Sequence, residues 1–160
     1  MRKSLSKRLN KRKTFKNNKS LKKNNTNNNS LSKFEQEIVV KYLEVLNLVK
    51  LYHWKTMSFA KHKATDELYT RLNKHIDEFV EVLLGKRGDR VNLMSKRSIA
   101  LLDVDSSSKF KVHIEQFRAY LIALNDNPAI KSAANTDLYN IRDEILGDIN
   151  QFLYLLTFTK

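Results

Sequence analysis

Apolar residues recur at intervals of three and four in four long segments of this chain, and no other feature constrains the fold as strongly. In the first segment these residues are Ile38, Tyr42, Val45, Val49 and Tyr52. Such a period, close to 3.6, forms one face of a helix that packs on a core. Three glycines and one proline among 160 residues leave few positions for tight turns. The pattern predicts an all-α protein.

The segments have recognisable ends, which together predict a four-helix bundle over residues 34–160. The first helix should end near Trp54–Met57, and the second should run from about Lys61 to Leu84 and stop at Gly85. The third should start after Ser106–Ser108 and the fourth after Asn135. Beyond the first helix, the predicted core comprises Leu68, Leu72, Ile76, Phe79, Leu83, Phe110, Ile114, Phe117, Leu121, Leu124, Leu138, Ile141, Ile145, Ile149, Phe152 and Leu156.

Residues 86–108 lack a strong period. About twenty residues without one suit a long crossover that joins the second and third helices, as some four-helix bundles require. Ser98–Leu102 predict a short helix within this segment.

The charge is concentrated at the N-terminus. Of thirty Lys and Arg in the chain, twelve lie in residues 1–33, which contain no acid, so eighteen basic and seventeen acidic residues remain in the rest. A Lys/Asn-rich segment with so few apolar residues predicts a disordered arm, and Ser32 with Glu35 predicts the capping box that starts the first helix. A cationic arm is suited to binding DNA through Arg2, Lys3, Lys7, Arg8, Lys11, Arg12, Lys13, Lys16, Lys19, Lys22 and Lys23. Two readings stay open beside it, a merely solvated tail and a targeting signal within residues 7–13.

Several classes of protein are excluded by what the sequence lacks. Without cysteine there is neither a disulfide framework nor a thiolate metal site. No apolar run approaches the roughly 18 residues that span a membrane, and the basic start is not followed by the apolar segment of a secretion signal. We therefore expect no membrane partner and a cytoplasmic, nucleoid-associated or virion protein that is not secreted.

Four potential metal ligands share one stripe of the second helix. With His62 at 0° on a helical wheel, Asp66, Asp77 and Glu81 fall at roughly 40°, 60° and 100°. His53, at the end of the first helix, can approach this stripe because the connecting loop is short. Two imidazoles and three carboxylates suit Fe(II), and also Mn(II) or Zn(II). Each residue alone is also common on a solvated helix face.

The stripe cannot hold one ion within a single chain. Asp66 and Asp77 are eleven residues apart, or about 16 Å along a helix, whereas ligand bonds are only about 2.0–2.2 Å long. A second, antiparallel copy related by a two-fold axis at about position 71.5 solves this problem, because His62 and Asp66 then face Asp77 and Glu81 of the partner. The spacing predicts two identical sites per dimer.

The same residues resemble a motif of the DNA-protecting mini-ferritins, the Dps family of the ferritin-like superfamily. The matching elements are His53-Trp54, Phe59, His62, Asp66, Glu67-Leu68-Tyr69 and the block from His75 to Glu81. The chain has a stretch between His53 and His62 about three residues shorter than in that family, and Val82 replaces its usual Arg. Ferritin-like proteins of phages and large DNA viruses resemble this shortened form.

The resemblance implies a ferroxidase centre at a two-fold interface, with His53, His62 and Asp66 from one subunit and Asp77 and Glu81 from the other. It implies iron as the metal, peroxide or oxygen as the oxidant, and a role in stress protection. Trp54 would intercept oxidising equivalents beside the site, the alternative being a core or interface aromatic. A homo-oligomer follows, a dimer at minimum and a dodecameric shell in the full family assembly, with DNA bound by the arm. The alternative function is a non-catalytic scaffold that packages DNA and carries a vestigial metal site.

Overall fold

Four α-helices account for most of the described chain. The computed structural model describes residues 31–88, 90–94, 96, 98–131 and 133–158. Helix α1 covers 31–55, α2 covers Phe59–Arg87, α3 covers Ser107–Ala123 and α4 covers Thr136–Leu155. Two short 3-10 turns, Leu124–Asp126 and Ala133–Asn135, lie between α3 and α4. Within the described ranges there is no strand, and the all-α, four-helix prediction is confirmed.

The start of α1 differs from the prediction. The chain divides into two units, Met1–Phe34 and Glu35–Lys160, and the first is described only over its last four residues, which already belong to α1. Ser32 is therefore inside the helix, so the predicted capping box is wrong. Glu35 is instead buried and forms an ion pair with Arg87 at the far end of α2. A buried carboxylate requires such a partner, which explains why Glu35 turns inward.

Helix α2 is longer than predicted at both ends. The Ser58 hydroxyl accepts a hydrogen bond from the Lys61 N–H and caps the N-terminus. At the other end, the helix continues through Gly85 and stops at Gly88, whose φ of 67° is left-handed and whose N–H donates to the Leu84 carbonyl. The left-handed cap determines the stop, and Gly85 was the wrong glycine.

Aromatic rings join the four helices at two levels of the core. The Tyr42 ring makes T-shaped contacts with Phe79 and Phe117, with ring centroids 5.4 Å and 6.1 Å apart, and so joins α1 to α2 and α3. Phe110 stacks on Tyr52 at 4.1 Å and meets Phe152 of α4 at 5.8 Å. The predicted core residues are buried, with one exception. Leu156 is only half-buried, because α4 has ended and its side chain lies beside an open groove.

Polar contacts join α2 to α4. The His75 Nδ1 atom lies 2.8 Å from the Asp148 carboxylate, and Arg71 contacts both Asp148 and Gln151. Lys86 pairs with Asp137 at the start of α4. His75 thus belongs to a contact between helices and lies away from the metal-ligand stripe.

The segment between α2 and α3 contacts both ends of α1. The Gln36 amide donates to the Asn92 carbonyl at 2.9 Å, and Lys55 forms an ion pair with Asp103. Residues 98–102 are not helical, so the short helix predicted there is wrong.

Candidate metal centre

The loop between α1 and α2 brings His53 and His62 into contact. His53 is in the last turn of α1, and His62 is in the first turn of α2, after the three-residue connection 56–58. The two imidazole rings stack with centroids 3.9 Å apart and planes 23° apart. Two of the predicted ligands from different helices therefore lie side by side.

Each ring is held by the backbone of the other histidine. The Nδ1 atom of His53 lies 3.0 Å from the His62 carbonyl oxygen, and Nδ1 of His62 lies 3.0 Å from the His53 carbonyl oxygen. A carbonyl oxygen only accepts, so both Nδ1 atoms carry the proton in the neutral rings. Both Nε2 atoms consequently retain a lone pair, which is the state that a metal ion needs.

Asp66 brings a carboxylate to this pair. It follows His62 by one helical turn, and its Oδ1 atom lies 4.0 Å from Nε2 of His53. Since His and carboxylate ligands bind at about 2.0–2.2 Å, a cation between these two atoms needs only a small rotation of Asp66. The Asp66 side chain is 55% exposed and free to make that rotation.

The remaining predicted ligands lie elsewhere on α2. Asp77 and Glu81 are exposed on the continuous helix, about 16 Å and about 22 Å beyond Asp66 by helical rise. Among the described residues, no three His, Asp or Glu side chains converge into a complete metal-binding group. One chain therefore holds two separated parts of the predicted ligand set.

Trp54 is at the rim of this site. Its side chain is 67% exposed next to His53, so it is not part of the core of the single chain. The Lys50 ammonium lies 5.8 Å from the Trp54 ring and 4.6 Å from the Tyr69 ring. These cation–π contacts bind the end of α1 to the metal-ligand face of α2.

An open groove of about 810 Å³ gives solvent access to Asp66. It lies between the start of α2 and the end of α4. Leu155, Leu156 and Phe158 form its apolar side, and Lys61 and Lys63 line it beside Asp66. A small ion or molecule can reach the Asp66 carboxylate from this side.

Thr65 is the residue at this cluster that the sequence did not reveal. It is fully buried, between His62 and Asp66 in the chain, and its hydroxyl lies 3.2 Å from Nδ1 of His53. A polar residue on the core side of a helix that otherwise buries Leu and Phe was the available signal. Its meaning depended on knowing that α1 places His53 against this turn.

Two further predictions concern the basic arm and the membrane. The arm residues proposed to contact DNA precede residue 31 and lie outside the described residues. Within the ranges that the structure describes, no helix combines the length and apolar character needed to cross a membrane.

Together these features define an all-helical bundle protein with a histidine–carboxylate cluster at one helix-helix connection. A family model matches residues 53–156, and the chain therefore belongs to that family, described as a family of unknown function (DUF5856). The matched range begins at His53 and includes all five predicted ligands. No curated protein and no solved structure matches the chain.

Proposed function

We propose that this protein is a ferritin-like, Dps-like iron protein that oxidises Fe(II) at sites shared by two copies and binds DNA through its basic arm. One observation carries the proposal. His53 presents an unprotonated Nε2 atom 4.0 Å from the solvent-exposed Asp66 carboxylate, and the His62 ring stacks on the His53 ring. Such a set binds a divalent cation but leaves it short of ligands.

A second copy supplies the missing ligands. Because α2 is one continuous helix, an antiparallel partner crossing it at about position 71.5 sets Asp77 and Glu81 opposite His62 and Asp66. Their exposure on the single chain leaves both carboxylates available for this contact. The completed set has two nitrogen and three carboxylate ligands.

This ligand set suits Fe(II) as the substrate, with Mn(II) or Zn(II) as competing ions. Each proposed site is a di-iron site with five protein ligands. Five ligands for two iron ions leave open coordination positions, at which peroxide or oxygen can accept electrons from Fe(II). The chain itself contributes the fixed imidazoles, the carboxylates that balance the charge, and Trp54 at the rim. The exposed indole would donate an electron to a reactive oxidant before that oxidant leaves the site.

The pairing of the helices supports a ferritin-like connection. Tyr42 of α1 contacts Phe79 of α2 and Phe117 of α3, and His75 of α2 contacts Asp148 of α4. Phe110 of α3 contacts Tyr52 of α1 and Phe152 of α4. These contacts fit an antiparallel arrangement of neighbouring helices. Helices α2 and α3 then run parallel, which requires a connection that traverses the bundle. The contacts of Asn92 and Asp103 at opposite ends of α1 support such a crossover.

The charge distribution supports DNA binding by the arm. Eleven Lys and Arg precede residue 31, where no acid occurs, while the bundle is nearly neutral. Phosphate contacts by such an arm release counterions and require no particular base sequence. The arm would hold DNA close to the place where Fe(II) is oxidised, which limits damage by the oxidant.

The double variant Asp77→Ala/Glu81→Ala tests the catalytic part. We expect anaerobic Fe(II) binding and aerobic Fe(II) oxidation to fall at least about tenfold, because two ligands of each site are lost while the exposed positions leave the helices folded. Glu78→Ala, on the same helix but off the stripe, is the matched control and should behave as wild type. Circular dichroism checks that both variants are helical.

The result also separates the two functions under consideration. If the double variant oxidises Fe(II) at the wild-type rate, the proposed site is wrong. If the wild-type protein binds no Fe(II) and still binds DNA, the function is that of the non-catalytic scaffold and not that of an iron-oxidising protein.

A further inference from the structure

Thr65 joins the two histidines at the buried side of the cluster. Its hydroxyl donates to the main chain one turn earlier, at 2.8 Å from the Lys61 carbonyl and 3.0 Å from the His62 carbonyl. The same oxygen lies 3.2 Å from Nδ1 of His53. A hydroxyl whose proton is engaged with carbonyls can only accept from Nδ1, so the His53 N–H is shared between Thr65 and the His62 carbonyl.

We propose that Thr65 is a positioning residue that fixes the His53 ring with its proton on Nδ1 and its Nε2 lone pair directed at the metal position. The inference rests on the proposed function for the use made of that lone pair. The ring state itself is a property of the metal-free protein. Thr65 contacts no metal ligand atom and acts only through His53.

The opposite tautomer is disfavoured by the geometry. With the proton on Nε2, the Nδ1 lone pair would face the His62 carbonyl oxygen at 3.0 Å, and two acceptors would repel each other. The His53 ring is only 8% exposed, so water has little access to relieve the conflict at its Nδ1 atom. The His62 carbonyl and the Thr65 hydroxyl, which both accept from Nδ1, together hold the proton there.

Threonine fits this position better than its near neighbours in size. Valine has the same shape but no oxygen to accept from Nδ1. Serine keeps the oxygen but lacks the second branch that restricts χ1, although the bonds to the Lys61 and His62 carbonyls still direct it. The hydroxyl, not the volume, is the feature that the proposal depends on.

The His62 ring is oriented without Thr65, by a hydrogen bond to the backbone of His53. Its Nδ1–H donates to the His53 carbonyl, one of the last four carbonyls of α1, which have no partner within that helix. The ring thereby caps α1 while its own orientation is set. Both imidazoles are consequently oriented before any metal binds.

The experiment compares full-length wild type with Thr65→Val and Thr65→Ser, using two readouts. Two-bond ¹H–¹⁵N spectra of the metal-free protein report which ring nitrogen of each histidine carries the proton. Titration with Co²⁺ under nitrogen, at equal protein concentration, reports affinity. We expect Nδ1–H for both histidines in wild type, a mixture at His53 in the valine variant, and restoration by serine. Co²⁺ affinity should fall about tenfold in the valine variant and stay within about threefold of wild type in the serine variant.

Other results overturn the inference. A wild-type His53 protonated on Nε2 contradicts it directly, and so does a valine variant identical to wild type in both readouts. Weaker Co²⁺ binding with an unchanged tautomer would show that Thr65 matters only for packing, which also contradicts it. If the valine variant fails to fold, His53 protonated on Nε2 in wild type or in the serine variant still contradicts the inference, and Nδ1–H in both supports it. Correct tautomers without Co²⁺ binding would sink the proposed function and leave the positioning role intact.

Discussion

At the residue scale, some residues of the histidine–carboxylate cluster could be predicted from the sequence and others could not. His62 and Asp66 were predictable because their spacing along one helix fixes their relation. His53 was placed by the short loop and by the resemblance, and the structure brings it to His62. Thr65 was not predictable, because its role requires the main chain of one helix to approach the side chain of another.

A second buried polar residue affects stability. The Tyr42 hydroxyl has no hydrogen-bond partner among the described residues. Burial raises the pKa of Tyr42 well above its ordinary value, the Tyr120 hydroxyl adds to this, and Arg142 opposes it. The unfolded chain therefore loses this proton at a lower pH than the folded protein does.

This raised pKa predicts a loss of stability at alkaline pH. The stabilisation that comes from the Tyr42 proton is fully present below about pH 10, the pKa of tyrosine in the unfolded chain. It decreases as the pH rises further, with a limiting slope of about 1.4 kcal/mol per pH unit for one group. Tyr42→Phe should make the fall in the unfolding free energy between pH 10 and 11 smaller by about 1 kcal/mol, because the full slope is reached only above pH 11. Urea unfolding measures it, with exposed Tyr154→Phe as the control. Equal slopes in wild type and Tyr42→Phe would contradict the assignment.

At the element scale, helix existence was predictable and helix ends were not. The apolar period gave all four helices and nearly all of their buried positions, since burial of one face is what makes a helix stable here. The end of α2 depended instead on which glycine adopts a left-handed backbone. Gly85 continues the helix with open space around its Cα, whereas Gly88 caps it.

The two glycines should respond oppositely to alanine. Gly85→Ala should stabilise the protein by about 0.5–1 kcal/mol, because alanine is the better residue within a helix and no atom obstructs its methyl group. Gly88→Ala should destabilise it by about 1–2 kcal/mol, because its φ of 67° is strained for any residue with a Cβ. Urea unfolding of both variants measures the two changes. A stabilising Gly88→Ala would show that the left-handed cap is absent in solution.

At the scale of the whole molecule, the arm is strongly basic and the bundle is nearly neutral. The thirty basic residues outnumber the seventeen acidic ones almost entirely because of the arm. The sequence predicted this division, and it also predicted that the metal ligands cannot meet within one chain. It could not identify the assembly, because a site shared between copies depends on surfaces that do not interact within the monomer.

Deletion of residues 1–30 should abolish DNA binding at physiological salt. If the arm contacts six phosphates of duplex DNA, the full chain should show a slope of log K against log[salt] of about −5, because each contact contributes about −0.9. Fluorescence anisotropy with a duplex of arbitrary sequence measures both effects, and a second duplex of the same length checks that sequence is irrelevant. Tight binding by the deletion variant would place the DNA site on the bundle instead.

The central claim is that each metal site takes ligands from two copies of the chain, and mixing two inactive variants tests it most directly. Asp66→Ala and Asp77→Ala/Glu81→Ala should each fail to oxidise Fe(II), since each lacks ligands in both sites of its own dimer. After equimolar unfolding and joint refolding, half of the dimers combine the two chains, and each of these has one intact site. The mixture should therefore recover about a quarter of wild-type Fe(II) oxidation. A mixture as inactive as its components, with the mixed dimers demonstrated by mass spectrometry, would contradict the shared site.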